Sequence, residues 1–275
     1  MKPKQFDFVR AESLGEALAV LAEHGEDARI LAGGQSQVAM LNFRLIETKL
    51  LIDIVRIDEL NYIRVDNGAL EVGAATRQAD LKDWPELAET VPLLHAALPH
   101  LGHFQTRNQG TVCGSIAHSD PSSELPLCLA TLEGEVVLQS QGGRRTVKAG
   151  DFQVDLLTTA KRSDEMITAV RFPLKAPGTG YAFDEMNRRR GDFAIVSLAA
   201  AASENSVRLG VGGVAATPTV RDWPGLDDAG LDDALNAFAW DLGGGDDIHA
   251  SGQYRRELVR RLGRRTIMEA KKCRS

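Results

Sequence analysis

Between Asn108 and Pro126 the chain reads NQGTVCGSIAHSDPSSELP. Gly110, Thr111, Gly114, Ser115 and Ala117 are small, and a His-Ser-Asp-Pro turn and a Glu-Leu-Pro follow them. Few packed cores require such a run. It suits a main chain lying against a ligand, because glycine and other small residues let N–H groups approach an oxyanion closely. A second segment of this kind, Ala32-Gly33-Gly34-Gln35-Ser36, follows an apolar stretch with the pattern of a strand. Two phosphate-cradling turns in one chain point to a cofactor that contains pyrophosphate.

Each segment has a plainer reading beside the chemical one. A strand, two glycines and a helix make an anion nest to which the Ser36 hydroxyl adds a donor. A lone Gly-Gly is also common at strand-to-helix turns that bind nothing, and in isolation that reading is the commoner one. Neither G-x-G-x-x-G nor a P-loop lysine is present. In the second segment Thr111, Gly114 and Ser115 present donors to further phosphate oxygens, and His118, Asp120 and Pro121 shape the turn. Glu124 is placed to accept hydrogen bonds from ribose or other hydroxyl groups. The alternative is an ordinary loop that His118 and Asp120 close by bonding to each other. For His118 the structural role is favoured. A metal role is weaker, since no second His or Cys stands at ligand spacing. Arg188-Arg189-Arg190-Gly191-Asp192 reads as a solvated run with local ion pairing. No G-x-S-x-G or H-E-x-x-H occurs, so no activated nucleophile is in view.

The elements that position these segments follow from periodicity. Residues 6–8 form a short opening strand. Ser13 and Glu16 make a capping-box pattern, and Leu14, Ala17, Leu18 and Leu21 mark one helix face that Gly25 ends. A strand over 29–32 feeds the Gly33-Gly34 turn, a short helix spans 36–45, and 50–54 is a buried strand. Asp66-Asn67-Gly68 joins strands 62–65 and 70–73 in a hairpin. Helices are expected over 81–84 and 92–101, and strands over 135–139, 146–148 and 166–172. Residues 175–180 read as a linker. Beyond it, strands 194–202 and 207–214 pair across Glu204-Asn205, and helices cover 232–240 and 253–264. In the last helix Tyr254, Leu258 and Leu262 share a face, and arginines crowd the rest. That basic face is either a docking surface for an acidic partner or solvated, and the second is the default. The fold class is α+β, with units over 1–60, 61–175 and 176–275.

Composition narrows the function classes. The chain has 275 residues, 43% of them hydrophobic, and a formal net charge of -6. That fits an ordinary globular protein and argues against nucleic acid as a partner. Cys113, Cys128 and Cys273 are widely spaced without Cys-x-x-Cys, so no iron–sulfur cluster or structural zinc is expected on this chain. No apolar stretch approaches the roughly 18–20 residues a membrane helix needs. A cytoplasmic protein in a reducing compartment is expected.

These residues carry a resemblance that runs almost end to end. The segment ILAGGQSQVAMLNFRL resembles the first flavin motif of the FAD-binding medium subunits of molybdenum hydroxylases, the xanthine dehydrogenase and carbon monoxide dehydrogenase group. TVCGSIAHSDPSSELP resembles their second motif, T-x-G-G-x-x-x-H-x-D-P followed by an acidic residue and a proline. RRRGDFAIVSLAAA and DDIHASGQYRRELVRRLGRR resemble the entry strand and closing helix of their C-terminal domain. One departure stands out, since Cys113 replaces the first of two consecutive glycines. If that position needs a positive φ, cysteine costs on the order of 1 kcal/mol or more. If it needs only a small side chain, cysteine is tolerated.

The resemblance implies a PCMH-type, two-subdomain FAD-binding domain followed by a C-terminal domain of sheet and helices. It implies that Ile30, Leu31, Ala32, Gly33, Gly34, Gln35, Ser36 and Gln37 wrap the FAD pyrophosphate. Thr111, Cys113, Gly114 and Ser115, with Asp120 in the turn that follows, give phosphate and ribityl contacts, and Glu124 holds ribose hydroxyls. Leu101 packs on the adenine or nearby, and Thr159 and Ala160 lie near the isoalloxazine or adenine edge. Asp184 falls where some relatives place a flavin-contacting lysine. The implied role is electron transfer. A large molybdenum subunit with a molybdopterin cofactor oxidises the substrate, and a small subunit with two [2Fe–2S] clusters passes electrons to FAD on this chain. An external acceptor receives them, and the complex is a dimer of heterotrimers. Two rivals are a self-contained FAD oxidase, which needs a substrate pocket and a base over the flavin, and a flavin-free structural subunit.

Overall fold

In a computed structural model, which describes residues 2–274, the chain opens with the β-α-β-α-β unit expected from its periodicity. Strand Asp7–Arg10 leads to helix Leu14–His24, strand Ala28–Leu31, helix Gln37–Asn42 and strand Leu50–Asp53. The three strands are parallel, with Leu50–Asp53 in the centre, which explains why it is buried along its whole length. The Ser13 hydroxyl accepts the Glu16 N–H at 3.1 Å. The Glu16 carboxylate takes the N–H of Glu12 at 2.7 Å, one residue upstream of the reciprocal capping-box bond. Gly25, at φ 52, caps the helix as expected.

A five-stranded antiparallel sheet follows, in the order Ile63–Asp66, Ala69–Gly73, Met166–Pro173, Glu135–Ser140, Gly143–Lys148. Asn67 and Gly68 both have positive φ, as a two-residue type I′ hairpin turn requires. One continuous core joins this sheet to the first. It runs from Leu18, Ile52 and Ile54 through Leu70, Val72, Val170 and Phe172 to Val112, Ile116, Leu125 and Leu129. Strands Gly180–Met186, Val196–Ala202, Ser206–Gly212 and Thr219–Pro224 then form an antiparallel meander. Helices Leu231–Asp241 and Gly252–Lys272 cover one of its faces through Leu235, Phe238, Val259 and Ile267. The opposite face receives helix Glu124–Thr131. A Cβ on Gly210 would clash with Thr131 Oγ1 and lie 2.9 Å from Leu127 Cδ1.

Several expectations need correction. The helix expected over 81–84 is Gln78–Lys82, because Trp84 opens the turn into helix Leu87–Thr90. The helix beginning at Pro92 ends at Ala97 rather than near residue 101. Residues 36 and 43–45 flank helix Gln37–Asn42 as turn, with Arg44 at positive φ. The arginine-rich last helix extends to Lys272. Its arginines are paired rather than free, Arg264 with Asp232 and Arg260 and Arg261 with Glu257. The small-residue segment is not a loop, since Val112–His118 and Glu124–Thr131 are both helices. Among the described residues no helix is long and apolar enough to cross a membrane.

Candidate cofactor site

The two glycine-bearing segments touch. A Cβ on Gly33 would clash with the Gln109 carbonyl oxygen, and would lie 2.6 Å from Gly110 Cα and 2.9 Å from Thr111 N. Only a residue without a side chain fits against that main chain. The second segment is fixed from behind by the turn that precedes helix Gln78–Lys82. Gln78 N donates to Gly110 O at 2.9 Å, Val112 N donates to Thr76 O at 3.1 Å, and the Arg77 guanidinium donates to Gln109 O. Neither Arg77 nor Gln78 belongs to a recognisable motif, so nothing in the residue pattern marks their part.

The first segment holds unspent donors. The main-chain N–H groups from Gly33 to Gln37 donate to no protein acceptor among the described residues. Gly34, at φ +69, turns the chain so that these groups lead into helix Gln37–Asn42. Strand Ala28–Leu31 places Ile30 and Leu31 just ahead of them, and Ile54 N anchors Leu31 O at 3.0 Å. Consecutive free N–H groups beside a second main-chain segment, with a gap only glycine can keep, make a cradle for a pyrophosphate. The residues present therefore fit FAD.

The second segment supplies fewer free donors than its sequence suggests. The Thr111 hydroxyl accepts the Gly114 N–H at 3.0 Å and caps helix Val112–His118. A Cβ on Gly114 would lie 2.7 Å from that hydroxyl oxygen, so this glycine serves the cap. Ser115 is half-buried one position further on. Thr111→Ala is expected to cost about 1 kcal/mol of stability, the usual loss of an N-cap, read as a lower urea midpoint at unchanged slope. Cys113 has helical backbone rather than a positive φ. Its thiol is buried and reaches the Val72 carbonyl at 3.5 Å, so the position needs only a small side chain. Burial pushes that thiol up and keeps it protonated and unreactive.

The turn after this helix is closed differently from the expectation. No hydrogen bond joins His118 to Asp120. Asp120 Oδ1 accepts the Ser122 N–H at 2.8 Å, and Ser119, at φ 55, ends the helix. Burial lowers the His118 pKa, with the Asp120 charge opposing it. Ser119 ties the site to the hairpin of strands Gln153–Asp155 and Thr158–Thr159, since Leu157 N donates to Ser119 O at 3.3 Å. Ala160 follows that hairpin, and its carbonyl accepts from Arg145 Nη2 at 2.8 Å. Leu101 is buried in the turn beyond helix Pro92–Ala97, where Arg107 Nη1 holds its carbonyl at 2.8 Å. A Cβ on Gly191 would lie 2.7 Å from His103 Nδ1, so the arginine run at 188–190 leads onto this same turn.

Asp184 and Glu185 part company through strand alternation. Asp184 faces the last helix and pairs with Arg265 at 2.7 Å. Glu185 faces the opposite way, where its Oε1 accepts from Asn187 Nδ2 at 2.7 Å and lies 3.3 Å from His100 Nδ1. Glu124 is buried, and desolvation, with Glu185 and Asp120 adding, pushes its carboxyl up to about 8. Sequence reading missed Glu185 because the strand around it was not recognised, although Tyr181 and Phe183 alternate as strand residues do.

Residues 4–175 match the family model for the FAD binding domain in molybdopterin dehydrogenase. Over 98% of its length the chain is 36% identical to the 6-hydroxypseudooxynicotine dehydrogenase complex subunit alpha of Paenarthrobacter nicotinovorans, covering 96% of that protein. It is 34% identical to the glyceraldehyde dehydrogenase medium chain of Sulfolobus acidocaldarius, covering 98% of this chain and 99% of that one. Among solved structures, a chain of carbon monoxide dehydrogenase from Hydrogenophaga pseudoflava superposes with a TM-score of 0.94 at 30% identity, with 100% of each chain covered. A chain of quinoline 2-oxidoreductase from Pseudomonas putida 86 gives a TM-score of 0.91 at 33% identity, with 99% of each covered.

Proposed function

Since the chain belongs to the FAD-binding subunits of the molybdenum hydroxylase family, we propose that it is the electron-transfer subunit of a three-subunit dehydrogenase. A small subunit carrying two [2Fe–2S] clusters delivers electrons, a large subunit holds the molybdopterin cofactor and oxidises the substrate, and an external acceptor receives the electrons from FAD. The complex is a cytoplasmic dimer of heterotrimers. The contact of Gly33 with the main chain of Gly110 and Thr111, beside the free N–H groups of Gly33 to Gln37, carries the reading.

FAD supplies the electron chemistry, and the chain supplies binding, orientation and shielding. Gly33, Gly34, Gln35, Ser36 and Gln37 hold the pyrophosphate, with Ile30, Leu31 and Ala32 leading into them. Ser115, Cys113 and Asp120 shape the second wall, Leu101 and Ala160 close the ends, and Glu124 meets hydroxyl groups. Asp184 acts through its pair with Arg265, which anchors the strand that carries Glu185. The relatives are named for 6-hydroxypseudooxynicotine, glyceraldehyde and carbon monoxide, and in this reading the large subunit sets the substrate.

The reading is tested by mixing the FAD-loaded chain with an N-heterocycle, an aldehyde or carbon monoxide, alone and with its two co-purified partners. Flavin absorbance bleaches only in the complete mixture. Bleaching or turnover by the chain alone would overturn the proposal.

A further inference from the structure

The five-stranded sheet carries a cluster of arginines that the flavin reading leaves unused. Arg64, Glu71, Arg171 and Glu135 stand opposite one another on four neighbouring strands and so share a face. The Glu71 side chain is 3% exposed. Its Oε1 accepts from Arg64 Nη2 at 2.6 Å and from the Tyr62 hydroxyl at 2.8 Å. Its Oε2 lies 3.4 Å from Arg171 Nε and 3.9 Å from Arg144 Nη2. Burial raises the Glu71 carboxyl, but Tyr62 and Arg64 outweigh it and hold it ionised. Three guanidiniums thus crowd one buried carboxylate. Arg145, next to Arg144 on the edge strand Gly143–Lys148, joins Arg162 in gripping a second, Glu165.

The outer ends of these arginines wall two cavities of about 430 and 360 Å³, which share Arg144 and Arg145. Arg64 and Arg171 complete the basic wall of the first, and Arg162 that of the second. No apolar side chain lines either one. Asp66 and Glu71 face the first and Asp164 the second, so arginines outnumber acids in each, and Glu165 lines neither. A network that served stability alone would pair its guanidiniums closely. Here the Arg144 guanidinium, 54% exposed, makes no hydrogen bond among the described residues. Arg64 spends one nitrogen on Glu71, and Arg145 Nη1 is unspent. Arg171 meets the Glu135 carboxylate and the Asp66 carbonyl only at 3.4 Å, and Arg162 Nε lies 3.6 Å from Asp164.

We propose that this groove binds a compact oxyanion of the polyphosphate class, with pyrophosphate its smallest member, a phosphate group in each cavity and Arg144 and Arg145 between them. The planar fork of an arginine matches phosphate oxygens in pairs. Glu71 and Glu165 hold several of these forks in place before a ligand arrives, so binding costs them little side-chain freedom. A wall without apolar or aromatic groups offers a nucleobase no surface to stack on. The groove therefore reads phosphates alone, whether they arrive as a free polyphosphate or as the tail of a nucleotide. With a chain net charge of -6, the groove is a local feature and not the by-product of a basic surface. It shares no residue with the cradle of Gly33 and Gly110, and it does not depend on the flavin reading.

Calorimetric titration of the full chain with pyrophosphate, at about 0.15 M chloride, tests the site. The flavin cradle also suits a pyrophosphate, so the wild type and Gly33→Ala are titrated side by side. In both backgrounds Arg144→Glu should weaken pyrophosphate binding by about tenfold or more, and Arg144→Gln severalfold. Arg144→Lys should fall between Arg144→Gln and the parent, since it keeps the charge and loses the fork. These substitutions break no hydrogen bond, so thermal midpoints without ligand should stay at the parent value. Arg261→Gln, on the last helix and outside the groove, should leave binding unchanged. Tripolyphosphate and ATP should bind within about threefold of each other. ATP binding about tenfold or more tighter than tripolyphosphate would overturn a groove that reads phosphates alone. No pyrophosphate binding by the wild type would overturn the site. So would binding that Gly33→Ala abolishes and Arg144→Glu keeps, which would belong to the cradle. FAD affinity by flavin fluorescence should be the same in Arg144→Glu as in the wild type. A chain that takes up no FAD but binds pyrophosphate through Arg144 would overturn the flavin reading and support this one.

Discussion

Gly33→Ala is expected to cost about 1–3 kcal/mol of stability and at least about tenfold in FAD affinity. The reason is the nature of the neighbours. The added Cβ would meet main-chain atoms of Gln109, Gly110 and Thr111, and main chain pinned by Thr76, Arg77 and Gln78 cannot rotate away as a flexible side chain would. Relief requires the two segments to separate, which opens the gap that seats the pyrophosphate. Gly150→Ala is the control, because nothing lies within 4 Å of its Cβ and its φ is ordinary. It should be neutral or slightly stabilising. Thermal midpoints of both variants, with and without FAD, check the pair. A Gly33→Ala chain that keeps wild-type affinity would remove the cradle from the account.

Arg145→Gln is expected to cost about 2 kcal/mol at neutral pH, and to loosen the end of the site through Ala160. Arg145 grips both oxygens of Glu165, at 2.7 and 2.9 Å, and the Ala160 carbonyl at 2.8 Å. The Glu165 side chain is 2% exposed, so losing Arg145 leaves a buried carboxylate held by Arg162, whose Nη2 lies 2.9 Å from Oε1 and whose main-chain N–H donates to Oε2 at 2.8 Å, with little water to replace the lost bonds. The hydrogen bond from Arg145 is the largest influence holding the Glu165 carboxyl down, to about 2. A depressed carboxylate pKa stabilises the fold above its ordinary value and loses that stabilisation as pH falls toward the folded value. The deficit of Arg145→Gln should therefore be full at neutral pH and shrink as pH falls from about 4.5 toward 2. Urea midpoints across that range, beside the wild type, test the sign. A deficit that grows on acidification would contradict it.

The N-terminal unit was largely legible because its signals agree with one another. Ser13, the Leu14-Ala17-Leu18-Leu21 stripe and Gly25 mark one helix three ways, and Asn67-Gly68 admits few turns other than the one found. The segment from Thr111 to Thr131 was legible as chemistry but misread as local structure. Gly114, Ser115 and Pro126 are weak helix formers, and tertiary burial of Val112, Cys113, Ile116, Leu125, Cys128 and Leu129 overrides them. The i, i+4 spacing of Val112 and Ile116 was the available signal.

What sequence could not supply is the contact between segments. That Gly33 seats on Gly110 depends on a separation of 77 residues being closed by the fold. That Glu185 rather than Asp184 meets His100 depends on strand register, where a shift of one residue exchanges the two faces. Likewise the cost of Cys113 was undecidable until its backbone proved helical.

The most direct test of the flavin-subunit account is the visible spectrum of the chain purified under native conditions, with the released chromophore identified and counted against protein. The account predicts FAD at one per chain, lost in Gly33→Ala. A folded, colourless chain that also takes up no added FAD, alone or with its co-purified partners, would contradict it.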